Sequence, residues 1–161
     1  MALRPVLKLR AAAAVVALAA CGGLISACGH SSAAAAPAYE VRAGTVPGLG
    51  RIVTDGQGLT LYMYVPDHQG PSRCSGLCAD DWPPLLLPRG VTRPKAGPGI
   101  RAGLLGTVRR SNGRLQVTYG KWPLYRWQGD GRPGVATGQA ADMGTWYALS
   151  VTGTVNRGSP T

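Results

Sequence analysis

Acidic residues are scarce in this chain: seven aspartates and glutamates stand against 17 lysines and arginines. Histidine is scarcer still, with two, and His30 falls in a small-residue stretch near the N-terminus. That leaves His68 as the one histidine of the expected folded part, so a Ser-His-Asp triad is hard to assemble. There is no Gly-x-Ser-x-Gly elbow, no glycine-rich phosphate loop and no His-Glu-x-x-His pair. The adjacent carboxylates Asp80 and Asp81 diverge on a strand and suit a solvated turn. Each absence removes an enzyme class, and the chain is expected to be non-enzymatic and to carry no cofactor. Helical patterning is missing as well. With 24 glycines and 13 prolines, no apolar 3.6-residue period lasts beyond two turns.

What is present begins with an export signal. Residues 1–10 carry Arg4, Lys8 and Arg10 without an acid, and residues 11–20 (AAAAVVALAA) are apolar throughout. A basic start, a short apolar core and a small-residue region define a secretory signal. As a membrane span the segment is marginal: extended to Ala27 it reaches 17 residues, mostly alanine, where a bilayer core needs about 20 apolar residues. Two lipobox-like sequences follow, Leu18-Ala19-Ala20-Cys21 and Ile25-Ser26-Ala27-Cys28. Acylation of Cys28 would discard Cys21 with the signal and leave Cys74 and Cys78 as a pair. Acylation of Cys21 would strand Cys28 as an odd thiol in an oxidising compartment. Cys28 is therefore the expected anchor and Cys21 the alternative; a third course is non-lipidated secretion after cleavage near Ala36. The expected organisation is a signal peptide over residues 1–27, a lipidated cysteine and flexible tether over 28–38, a β domain over 39–156 and a disordered tail over 157–161.

Within the domain the strand signals are clear. Arg51-Ile52-Val53-Thr54, the turn Asp55-Gly56-Gln57-Gly58 and the run from Leu59 to Val65 read as a hairpin. A second hairpin is centred on Asn112-Gly113, between a strand from Gly106 to Ser111 and one from Arg114 to Tyr119. Trp122 to Gln128 and Thr145 to Val151 are further strand candidates. The Pro-, Gly- and Arg-rich residues 83–103 read as a loop between halves.

The halves repeat. Leu61-Tyr62-Met63-Tyr64-Val65-Pro66-Asp67 aligns with Leu124-Tyr125-Arg126-Trp127-Gln128-Gly129-Asp130, and Trp82 and Trp146 follow the first tyrosines by 20 and 21 residues. An internal duplication is expected, with copies over about 46–88 and 104–151. On a strand, Tyr62 and Tyr64 share one face while Leu61, Met63 and Val65 share the other; Tyr125 and Trp127 correspond in the second copy. Asp67 and Asp130 fall just past the strand, where a short carboxylate can accept backbone N–H bonds from the next turn. They either tie down their loops beneath an aromatic core or join the tyrosine hydroxyls in a polar binding site between the halves.

The tandem Tyr-x-aromatic-x-x-Asp motifs, with Ser72-x-Cys74-x-Gly76-x-Cys78-Ala79, Trp82-Pro83-Pro84-Leu85 and Gly120-x-x-Pro123-Leu124-Tyr125, resemble the secreted-repeat lipoproteins of bacterial envelopes. The likeness runs from about Gly50 to Val151. It implies an exported, often lipidated, repeated β domain and supplies no catalytic residues. The fold class expected is thus all-β: a small antiparallel domain of two pseudo-repeats of hairpins behind a cleaved signal and tether.

Two further features bear on function. Cys74 and Cys78 enclose three residues, and outside the cytoplasm a local disulfide is the default. The alternative is a redox or metal-handling site with His68 and Asp67, although zinc would want four ligands. The second feature is charge: residues 89–126 hold nine basic residues and no acid, which favours anionic surfaces. Arg109, Arg110 and Arg114 are the expected contacts to anionic lipid or cell-wall polymer, with nucleic acid an unsuitable partner for an exported protein. A carrier of an apolar small molecule, lined by the motif aromatics, is a remaining alternative.

Overall fold

The computed structural model describes residues 36–161. The expected signal peptide, the candidate acylation sites Cys21 and Cys28, and most of the expected tether lie outside the described residues. No helix among the described residues is long and apolar enough to cross a membrane.

The chain enters through β1 (Glu40–Val46), which pairs antiparallel with β2 (Gly50–Asp55) in the register Val41 to Asp55 through Val46 to Gly50. Sequence patterning missed β1 because Ala43 and Gly44 interrupt its apolar alternation. Its first residue, Glu40, is buried and held by Lys95 Nζ at 2.8 Å. The hairpin expected around Asp55 to Gly58 is only partly formed. The turn is present, with Asp55 Oδ1 accepting the N–H groups of Gln57 (2.8 Å) and Leu59 (3.0 Å). Yet β2 takes β1 as its main partner and touches the returning chain through a single bridge, Thr54 to Thr60. The returning run shortens to β3 (Tyr62–Tyr64), which pairs with β8 (Trp146–Ala148). Pro66 contributes no N–H to a ladder, and Val65–Asp67 closes as a 3-10 turn.

A short helix, α1 (Leu77–Asp81), follows, and then the linking residues: β4 (Lys95–Ala96) runs parallel beside β1. β5 (Leu105–Arg109) and β6 (Leu115–Tyr119) form the hairpin foreseen at Asn112-Gly113, where Gly113 sits at φ 78°. β7 (Trp122–Pro123) completes that sheet. The final residues, expected to be a free tail, dock instead: Thr161 N–H donates to Pro47 O (3.2 Å) and Gln139 Nε2 to Gly158 O (2.9 Å).

The two copies exchange strands. Val53 N–H donates to Leu149 O and Val117 N–H to Leu85 O, both at 2.8 Å. Leu61 N–H reaches Val53 O and Leu124 N–H reaches Val117 O, both at 3.0 Å. Thus the segment after Trp82 completes the second copy, and the segment after Trp146 completes the first. At the crossing, Tyr62 and Tyr125 exchange backbone bonds of 2.8 and 3.0 Å. The result is neither two side-by-side sheets nor a sandwich of independent halves.

Strand alternation sorts the core into two clusters, because successive side chains face opposite ways. Leu61, Met63, Leu85, Val117, Leu124 and Leu149 belong to an aliphatic cluster. Tyr62, Tyr125, Trp82 and Trp146 belong to an aromatic one, flanked by Tyr64 and Trp127.

Candidate functional site

The motif residues meet across the crossing. Tyr62 Oη donates to Asp130 Oδ2 at 2.6 Å, and Tyr125 Oη donates to Asp67 Oδ2 at 2.7 Å. Each tyrosine therefore bonds the aspartate of the other copy. The second carboxylate oxygens tie down the following loops: Asp67 Oδ1 accepts Arg73 N–H (2.7 Å), and Asp130 Oδ1 accepts Thr137 N–H (2.8 Å) and its hydroxyl (2.7 Å). Both tyrosines are fully buried and both aspartates nearly so. Burial, then the facing carboxylate of Asp130, holds the Tyr62 phenol well above its ordinary value. Burial likewise leads the upward shift of Tyr125, with Asp67 adding to it. Burial also raises Asp67, against the hydrogen bonds from Tyr125 and Arg73 and the charge of Arg110. Polar groups so enclosed are stable only when paired, and these four spend their capacity on one another, on nearby backbone and on the hydroxyls of Ser72 and Thr137.

Beside this crossed pair stands a column of four rings. Tyr64 stacks on Trp146 (centroids 4.3 Å apart) and Trp146 on Trp82 (4.0 Å), while Trp127 lies tilted by 31° against Trp82 (4.4 Å). Tyr62 and Tyr125 meet the two central tryptophans edge-on, at 5.3 and 5.1 Å. Gly138 is required here, since a Cβ would lie 2.5 Å from the Trp82 ring. The column is filled by its own rings, leaving no space between them for the apolar ligand considered above.

Cys74 and Cys78 are joined as a disulfide. Cys74 is buried in the aromatic cluster, whereas His68 is exposed and lies at φ 48° beyond the 3-10 turn. Asp67 is directed at Tyr125 and Arg73, away from any shared ligand set with His68. Arg110, expected on the surface, instead points inward. Its guanidinium donates to Ser72 Oγ (2.7 Å), Gln116 Oε1 (2.6 Å) and Cys74 O (2.6 Å). Three polar acceptors inside the fold outcompete solvent for one planar fork of donors.

Two other members of the basic stretch are also engaged: Lys95 with Glu40, and Arg126 Nε with the fully buried Asp55 at 2.6 Å. The remaining six, Arg89, Arg93, Arg101, Arg109, Arg114 and Lys121, form no salt bridge among the described residues. Five of them border a connected run of shallow hollows. Arg89, Arg109 and Arg114 line one of about 240 Å³. It shares Thr92 with a hollow of about 460 Å³ lined by Arg93. That one in turn shares Thr107 with a third, lined by Lys121.

A family profile described as a secreted repeat of unknown function matches residues 46–86 and again residues 106–150. The chain belongs to the secreted-repeat family. No curated protein matches it, and no solved structure does. The two secreted-repeat matches carry one Tyr, Asp and Trp set each: Tyr62, Asp67 and Trp82, then Tyr125, Asp130 and Trp146. Family membership places the domain outside the cytoplasm. The residues between the secreted repeats, 87–105, supply Arg89, Arg93 and Arg101 and half of the basic hollows. Sequence reasoning located the secreted-repeat motif residues but missed that the tyrosine–aspartate bonds cross between copies. It also missed Arg89 as a partner of Arg109 and Arg114, which only the bridge from Leu86 to Gln116 brings together.

Proposed function

We propose that this protein is an envelope lipoprotein, acylated at Cys28, whose folded domain retains anionic envelope components without catalysing a reaction. The observation that carries this reading is the run of hollows lined by Arg89, Arg93, Arg109, Arg114 and Lys121, none of them neutralised by a carboxylate among the described residues. An exposed, acid-free stretch of cations concentrates anions from solution. The lipid anchor at the start of a tether would hold that surface near headgroups or wall polymer, where each basic residue contributes about 1 kcal/mol of attraction. Arg110 takes no part in this surface, because its donors are already committed inside the fold.

The reading is tested on the full chain recovered from its envelope. Replacing Arg93, Arg101 and Lys121 together by glutamine should weaken retention on anionic vesicles or isolated wall at least about a hundredfold at low salt. Retention equal to the parent protein would rule the surface out. Fatty-acid labelling should disappear in Cys28→Ala and persist in Cys21→Ala; the reverse outcome moves the anchor to Cys21.

A further inference from the structure

The smaller hollow differs from the rest of the basic face in how its guanidinium groups are held. Arg109 Nη1 donates to Gly113 O (2.9 Å), across the turn that joins β5 and β6. Arg114 Nη2 donates to Leu87 O (3.1 Å), on the opposite wall. That wall is itself fixed: Leu87 N–H donates to Leu115 O (2.9 Å), and Val91 N–H donates to Pro88 O (3.1 Å), with Gly90 at φ 83° allowing the tight turn. Arg89 projects from this turn and is exposed. Two of the three side chains are thus positioned by backbone carbonyls before any ligand arrives, and each keeps further N–H donors free. Preorganisation of this kind lowers the entropy lost on binding.

We infer that the hollow bounded by Arg89, Arg109 and Arg114 is a binding site for a phosphate monoester. It rests on the reading of the basic face given above and names the chemistry that one part of it takes. Three arginines lining a single hollow of about 240 Å³ offer donors that match a tetrahedral group with three peripheral oxygens. Such a monoester carries about −1.5 to −2 charges near neutral pH. A carboxylate offers two coplanar oxygens and one charge, which satisfies a single arginine fork. The group can belong to a lipid headgroup or to the phosphorylated end of a soluble glycan; the recognition chemistry is the same.

The test titrates the full-length protein with inorganic phosphate and, at equal ionic strength, with acetate, following heat by calorimetry. Saturable binding of phosphate at least about tenfold tighter than acetate is expected, with Arg89→Gln and Arg109→Gln each weakening it about tenfold or more. Arg132→Gln, exposed and outside the basic hollows, should leave it within about twofold. Vesicles containing phosphatidic acid and a soluble sugar phosphate then separate the two sources: competition by either supports the site and names its origin. Phosphate bound no better than acetate, with vesicle retention intact, overturns the site while sparing the broader reading. Loss of both overturns the two together. Arg89 makes no internal contact that the fold depends on, so its variant reports on binding even if Arg109→Gln disturbs the turn.

Discussion

The two copies share a crossing and differ in what secures the loop beyond each aspartate. In the second copy Asp130 is met by the backbone and hydroxyl of Thr137, and that loop is held by hydrogen bonds alone. In the first, Asp67 receives one backbone N–H from Arg73, and the chain is then closed by the Cys74–Cys78 disulfide. Arg110 reaches across from β5's end to Ser72 and Cys74 O, so the second copy braces the first. The duplicated fold therefore keeps its centre symmetric and varies its periphery. The central rings admit little change because each packs against a ring of the other copy. The loops only need their backbone groups satisfied, which several chemistries can do.

The strongest way to break this comparison is at its symmetric part. Trp82→Ala and Trp146→Ala should each cost about 3–5 kcal/mol, as large aromatic truncations in a packed core do. Chemical denaturation should place the two within about 1 kcal/mol of each other, given cycle-to-cycle scatter for equivalent sites. A much larger cost at one position would show that the column is symmetric in shape only.

The asymmetric part should respond less. Replacing Cys74 and Cys78 together by serine removes a five-residue closure worth about 2 kcal/mol by loop entropy. Hydrogen exchange should speed up at Arg73 and remain unchanged at Thr137; equal acceleration at both would mean that the loops are not independently secured.

The crossed hydroxyls should give effects of similar or smaller size. Tyr62→Phe should cost about 1–3 kcal/mol, because it leaves a buried Asp130 oxygen unpaired. Tyr125→Phe should cost less, since the Arg110 charge still favours the Asp67 carboxylate. Both phenols are pushed above their ordinary 10.0 in the fold. Their unfolded counterparts lose protons first, so the native state loses stability as pH climbs from 10.0 upward. Thermal melts from pH 8 to 11 should show this decline flattened in either phenylalanine variant. Identical slopes in parent and variants would contradict the buried, carboxylate-paired geometry.

The all-β class and the duplication were legible because strand alternation and turn chemistry are local. Leu61, Met63 and Leu124 separate from Tyr62, Tyr64 and Tyr125 by parity alone, and Asn112-Gly113 declares its own turn. β1 was not legible, since Ala43 and Gly44 blur its alternation and Glu40 occupies a buried place only because Lys95 comes alongside. The destination of each arginine was equally hidden. Arg109 and Arg110 are sequence neighbours, yet at the end of β5 one faces the surface hollow and the other an internal acceptor set.

By its residues alone, the chain determined its all-β class, its one cysteine-closed and one cysteine-free copy, and the excess of positive charge. Each of these is written in neighbouring residues and needs no partner distant in the chain. Only the tertiary structure decided that the copies trade strands, that each tyrosine meets the other copy's aspartate, and which cations of the basic stretch line its surface hollows. Those outcomes depend on contacts between residues about 60 positions apart, and no local propensity encodes which distant partner a strand edge or a buried hydroxyl will find.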